Sequence, residues 1–320
     1  MDDATSRDQI PEPAHPLDRK SRLPGEKHEE MAADFHEAHR IDRILESSAY
    51  IPATEDVAFL QGSDARGVRL QLDYLKPELT MRELGIENTI VVFGGTRISE
   101  LGESEKSVKR LRAQLDKQPD DVTLQRKLAV AERVLEKSHF YEVARDFSSL
   151  VAASGGGPSD HRLVVMTGGG PGIMEAANRG ASEAGAQTVG LNITLPREQF
   201  PNPYLTPELC FQFNYFALRK MHFMLRARAL VAFPGGYGTL DELFETLTLI
   251  QTRKIEPLPV VLVGESFWRR LVDIDFLADE GVIDDEDRDL FWYADTAEDI
   301  WEGLKLWYRK AGKALAPGVD

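Results

Sequence analysis

Apolar positions in this chain follow two rhythms, short unbroken runs and helical stripes, and the two begin to alternate at Asn88. Thr89 to Arg97 (TIVVFGGTR) is a β-branched apolar run closing on paired glycines, which reads as a buried parallel strand and its C-terminal turn. Arg162–Thr167 (RLVVMT), Thr188–Thr194 (TVGLNIT), Leu230–Phe233 (LVAF) and Pro259–Val263 (PVVLV) repeat that signature, and Phe291–Tyr293 reads as a short edge strand. Helical spacing fills the intervals. Val108, Leu111 and Leu115, then Leu124, Leu128, Ala131 and Leu135, recur on either side of Pro119-Asp120-Asp121, so Glu103 to Lys137 reads as a helical hairpin with its charges on a solvated face. His139–Ala153 and Ala297–Lys310 read as further helices, and Ser154–Asp160 (SGGGPSD) as a linker.

Strands separated by helices imply an α/β fold, a doubly wound parallel sheet covered on both faces. Ligands of such sheets sit beyond the carboxyl ends of the strands, where this chain puts three glycine-rich turns. Residues 1 to about 40 carry no sustained apolar period and read as a polar tail, and Ile41 to Leu84 holds short helical stretches. The expected organisation is an N-terminal helical extension over 1–87, a nucleotide-binding catalytic domain over 88–310 with the hairpin inserted at about 103–137, and a C-terminal tail over 311–320.

Composition narrows the class. The chain has 320 residues, 42% hydrophobic and 28% charged, enough apolar mass for a core, and no apolar run of the length a bilayer crossing needs. The polar N-terminus has no apolar signal segment, and Cys210 is the only cysteine, so a cytoplasmic location is expected. A formal charge of −15 argues against nucleic acid and anionic membranes as partners. An acidic protein that binds a small phosphate must then supply local positive potential, which directs attention to Arg and Lys near the glycine turns.

Three motifs answer. Gly168-Gly169-Gly170-Pro171-Gly172-Ile173-Met174-Glu175 follows a strand and opens a helix; its glycines allow close backbone approach to an anion, or serve only helix–sheet packing. Its spacing departs from the dinucleotide fingerprint, and Gly190-Leu191-Asn192 stands where an acidic residue would follow. Pro234-Gly235-Gly236-Tyr237-Gly238-Thr239-Leu240-Asp241-Glu242 repeats the arrangement, a nest of amides and a hydroxyl suited to a phosphate dianion, with Asp241 and Glu242 open to a helix-capping reading. No Lys-Ser/Thr pair follows, so it is no triphosphate-hydrolysing loop. Arg219-Lys220 lies in a basic stretch (LRKMHFMLRAR) that reads equally as an amphipathic helix.

In this order the three motifs resemble the Lonely Guy (LOG) family, cytokinin riboside 5′-monophosphate phosphoribohydrolases often labelled lysine decarboxylases, whose pattern is GGG-x-G-x-M, an Arg-Lys pair, then PGGxGTxxE. The resemblance runs from about Asn88 to Trp307. It implies a Rossmann-like fold, a homodimer or higher oligomer, and hydrolysis of a nucleoside monophosphate to free base and ribose 5-phosphate without cofactor or metal. By this resemblance Arg219 and Glu242 are the catalytic residues. Gly168, Gly169, Gly170, Gly172, Met174, Glu175, Lys220, Gly235, Gly236, Tyr237, Gly238, Thr239 and Thr248 are substrate-binding candidates, and Gln251 also fits the pattern. The chain departs from the family at Ala217-Leu218, where Met-His is usual, and at Gly94-Gly95-Thr96-Arg97, where short members have Gly-Ser-Ser. These departures, the insertion and the long N-terminus suit a longer bacterial branch acting on AMP and other ordinary nucleotides. The alternative is a nucleotide sensor or carrier without catalysis. Lysine decarboxylation needs a Schiff-base lysine with pyridoxal phosphate, for which Lys220, beside an arginine, is the only lysine within a motif.

Overall fold

The computed structural model describes residues 12–21, 23, 35–155, 160–196 and 200–319. Most of the expected polar tail and four residues of the Ser154–Asp160 linker lie outside them. The chain divides into two compact units, Met1–Arg69 and Leu70–Asp320. The first contains α1 (Phe35–Leu45) and α2 (Val57–Gln61). Asp56 caps α2 by accepting from the Phe59 amide at 2.9 Å.

The second unit starts at Leu70, well ahead of the boundary expected at 87/88. Helix α3 (Arg66–Glu83) crosses the division, and its last turn sends Met81 into the core beside Ile86. Burying two such side chains contributes about 3–6 kcal/mol, which ties that part of α3 to the sheet unit.

That sheet has seven parallel strands: β1 (Thr89–Phe93), β2 (Val164–Thr167), β3 (Thr188–Ile193), β4 (Cys210–Phe213), β5 (Ala227–Ala232), β6 (Val260–Val263) and β7 (Trp292–Ala294). Their order is β4-β3-β2-β1-β5-β6-β7, a doubly wound arrangement. Ile90 and Val92 of β1 enter one core and Val91 and Phe93 the other, the period-two alternation of a sheet buried on both faces. Helices α6 (His139–Ala153), α7 (Ile173–Glu183) and α12 (Ala297–Lys310) cover the first face; α8 (Phe216–Leu225), α9 (Tyr237–Gln251) and α10 (Glu265–Leu271) cover the second. A short α11 (Ile274–Asp279) follows α10. The expected hairpin is α4 (Leu101–Leu115) and α5 (Val122–Leu135), with Asp121 capping α5.

Two elements differ from expectation. Strand β4 has no counterpart in the sequence reading: it is a four-residue edge in which Phe211 and Phe213 are buried and Gln212 is exposed, too short for alternation to register. Residues 311–319 pack against the sheet unit: Leu315, Ala316 and Val319 are buried in the α6–α12 core. Arg228 donates to the carbonyls of Leu315 and Ala314, both at 2.8 Å, and Arg162 to that of Pro317 at 2.8 Å.

Candidate active site

Strands run outward from β1 to β4, then the chain returns to place β5 on the other side of β1. The order reverses between β1 and β5, and their carboxyl ends flank the crevice where such sheets bind ligands. The three glycine turns interlock there. Gly95 donates its amide to the Pro234 carbonyl at 2.9 Å and accepts from the Ile173 amide at 3.3 Å. Gly172 has φ +75°, and a Cβ there would collide with the Gly95 carbonyl, so glycine is required on both counts. Gly172 and Gly236 are the N-cap residues of α7 and α9, and no side chain caps either helix. The Ile173 amide at the start of α7 is taken by the Gly95 carbonyl, whereas the first N–H groups of α9 have no intrahelical acceptor and lie at the positive end of its dipole.

A buried amide–hydroxyl network fixes the first turn. Thr167 Oγ1 accepts from the Gly169 amide at 2.9 Å and donates to Asn178 Oδ1 at 2.7 Å. Asn178 Nδ2 donates to Thr188 Oγ1. Asn202 Nδ2 donates to Asn178 Oδ1 at 2.9 Å and to the Gly170 carbonyl at 3.1 Å, and its backbone amide donates to the Gly169 carbonyl at 2.9 Å. Thr167, Asn178, Thr188 and Asn202 are all buried, and satisfied polar groups at such depth define one geometry. None of the four was among the sequence candidates. The available signal was Asn178 itself, an amide on the otherwise small and apolar face of Ala176, Ala177 and Ala181.

Arg219 of α8 reaches under this turn. Its Nε donates to the Leu191 carbonyl at 2.7 Å, and its guanidinium carbon lies 5.2 Å from the Phe223 ring centre, within cation–π range. Gly168 lacks a side chain where Arg219 Nη2 and Met174 Sδ approach: a Cβ would stand 2.5 and 2.9 Å from them. Glu242, one turn into α9, is only 5% exposed. Burial pushes its carboxyl up to about 7, against the opposing pull of the Arg219 and Lys220 charges. Burial likewise lowers the Arg219 pKa, opposed by the Glu242 charge. The structure thus brings Gly168, Met174 and Arg219 into contact distance and puts Glu242 within range of the Arg219 charge. It yields a carboxyl that can exchange a proton near neutrality beside a guanidinium held by a main-chain carbonyl.

The other candidates divide. Gly235 sits where Thr239 Oγ1 folds back, leaving no room for a Cβ, whereas Gly236 and Gly238 face open space. Gly169, φ +74°, packs against Leu205 and Gly190. The Gly170 carbonyl is held by Asn202. Glu175 is turned toward α6, accepting from the Tyr141 hydroxyl at 3.0 Å. Tyr237 is 92% exposed. Thr248 is exposed and donates its hydroxyl to the Phe244 carbonyl at 2.7 Å, while Gln251 donates to Asp287. Lys220 does not accompany Arg219: its ammonium meets Asp241 at 2.9 Å and Glu245 at 2.7 Å. Burial alone would lower its pKa, but these hydrogen bonds outweigh it and raise it to about 12. Among the described residues, no three of His, Cys, Asp and Glu converge as a metal site would require, and no helix is long and apolar enough to cross a membrane.

Fold and site together define a doubly wound α/β protein with two helix N-termini free of side-chain caps, a buried carboxyl and a half-buried guanidinium. The family described as "Possible lysine decarboxylase" matches residues 174–304. The cytokinin riboside 5′-monophosphate phosphoribohydrolase LOG3 of Arabidopsis thaliana is 30% identical over 147 residues, 44% of this chain and 66% of that protein. LOG7 of the same plant is 30% identical over 152 residues, 46% of this chain and 68% of that protein. The chain belongs to the LOG family, and its match spans about two thirds of the length of these relatives. Among solved structures, the Moco carrier protein of Chlamydomonas reinhardtii is 19% identical, covers 70% of this chain and 99% of its own, and has a TM-score of 0.41.

Proposed function

We propose that this chain hydrolyses the N-glycosidic bond of a nucleoside 5′-monophosphate, AMP or an N6-modified AMP, to free base and ribose 5-phosphate. The observation that carries the reading is the burial of Glu242 beside Arg219, one turn inside a helix whose first amides are uncapped. In this reading the phosphate dianion accepts hydrogen bonds from the amides of Tyr237, Gly238 and Thr239 at the start of α9. At about 1.5 Å of rise per residue, Glu242 lies about 4–5 Å further along the helix than Thr239, the scale of a ribose between its 5′-phosphate and C1′.

The chemistry follows from the charges. As the C1′–N bond breaks, its electron pair leaves with the base and the sugar becomes oxocarbenium-like. The Glu242 carboxylate stabilises that cation and takes a proton from water as the water oxygen bonds to C1′. Arg219 offsets negative charge on the departing base or the ribose hydroxyls. Binding energy from the phosphate holds the sugar over Glu242. Lys220 is unsuited to Schiff-base chemistry, since two carboxylates hold it as an ammonium ion.

Met221 and Leu225, four residues apart on one side of α8, are exposed, which supports self-association through that helix. The function is tested with AMP, GMP, CMP, UMP and isopentenyl-AMP, scored for base and ribose 5-phosphate. Equal release of both products from AMP or its N6-modified form is expected. A nucleotide recovered intact after hours of incubation identifies a carrier and overturns the reading.

A further inference from the structure

The hairpin does more than present charge to solvent. Between α4, α5 and the loop that follows β1 lies a groove of about 600 Å³, lined by Arg97, Arg110, Arg126 and Lys127 and by no acidic side chain. We propose that this groove binds a polyphosphate chain, free or carried on a nucleoside. The proposal goes beyond the glycosidic chemistry and does not rest on it, since the groove shares no residue with the Arg219–Glu242 site.

Charge pairing is the first argument. On the hairpin Lys106 pairs with Glu103 and Arg112 with Glu132, both at 2.7 Å. Among the described residues the four groove cations have no carboxylate partner, although Asp and Glu outnumber Lys and Arg by 53 to 38 in the chain. Four uncompensated positive charges around one concavity repel each other and focus a positive potential that an anion of charge near −4 would relieve. A monophosphate carries too little charge for that, whereas a tri- or tetraphosphate matches it.

Shape is the second. Ser104, Ser107 and Leu111 recur at helical spacing on α4, and Thr123, Lys127, Val130 and Val134 do so on α5, so each helix turns one continuous face to the groove. The Ser107 and Thr123 hydroxyls add donors to the guanidinium forks suited to phosphate oxygens. Leu111, Val130 and Val134 add an apolar strip along which a base can lie. The volume lies within the range of small-ligand sites.

Isothermal titration of the full chain with inorganic tripolyphosphate and with ATP tests the proposal, with Arg126→Gln/Lys127→Gln as the matched variant. Both changed side chains are exposed, so the variant should melt as the wild type does; Arg126→Gln alone serves as the milder second variant. The expected result is binding that weakens with added salt and falls about tenfold or more in the double variant, with a smaller loss in the single one. Binding of both probes shows that the chain of phosphates suffices, and binding of ATP alone shows that the nucleoside is needed. No binding of either probe overturns the proposal. So does binding that the variants leave unchanged, which would place the anion on the glycine turns. The readout needs no turnover, so a protein that fails to hydrolyse AMP still answers it.

Discussion

The guanidinium of Arg219 lies against the Cα of Gly168, so closely that a Cβ there would stand 2.5 Å from Nη2. The two residues sit on different sides of β3 in the chain, one in the first glycine turn and the other on α8, yet each fixes the other's options. Glycine is needed here to leave the arginine its place below the turn.

Gly168→Ala is therefore expected to displace Arg219 without unfolding the protein, because the clash falls on the movable end of a long side chain. A displacement of about 1 Å at a substrate-orienting group can cost about a hundredfold in rate. Steady-state kinetics should show kcat/KM lowered by about one to two orders of magnitude, with a melting temperature close to that of the wild type. Unchanged kinetics would mean that the Arg219 position is irrelevant to turnover.

Glu242 should make stability depend on pH with a definite sign. Its folded pKa, about 7, is above the unfolded value of 4.5. The stability associated with the neutral carboxyl is therefore complete below about 4.5 and is lost as pH rises through 7. The shift corresponds to roughly 3 kcal/mol. Glu242→Gln should raise the melting temperature at pH 8 and lose that advantage at pH 4.5. Thermal melts of both proteins across this range check it; an advantage that is constant with pH would contradict the assignment.

The same titration governs activity if the ionised carboxylate is the working form. In the free protein kcat/KM should rise with pH through about 7 and fall about tenfold per unit well below it. A pH–rate profile that stays flat between pH 5.5 and 8 would exclude Glu242 as the base.

Asn178→Ala removes the hub of the network that holds the Gly168–Gly170 turn. Thr167, Thr188 and Asn202 would each lose a buried partner, at about 1–3 kcal/mol for each group left unsatisfied. Denaturant unfolding should show a loss of several kcal/mol. The loosened turn should raise KM for AMP in whatever folded protein remains, and a variant of wild-type stability would show that water replaces the amide.

The parts of this fold visible in the sequence are those that bury both faces. Strands β1, β2 and β6 are nearly unbroken apolar runs and β3 and β5 are predominantly apolar, whereas β4 buries alternate residues over only four positions and escapes notice. The C-terminal residues read as a tail because two distant arginines, Arg162 and Arg228, hold them. At the site, adjacency in sequence misleads: Lys220 follows Arg219, but one residue is about 100° around a helix, and its ammonium joins Asp241 and Glu245 instead. The hairpin's helices were readable from their apolar spacing. Its charge was readable only as a total, since sequence does not show which cations share a groove and which meet a carboxylate.

The most direct test of the central claim follows adenine and ribose 5-phosphate released from AMP by the wild-type chain and by Glu242→Gln, side by side, with AMP binding measured for both. The account predicts equimolar products from the wild type. For the variant it predicts a rate lower by about two to three orders of magnitude with AMP still bound. Intact AMP with the wild type, or undiminished release by the variant, would contradict it.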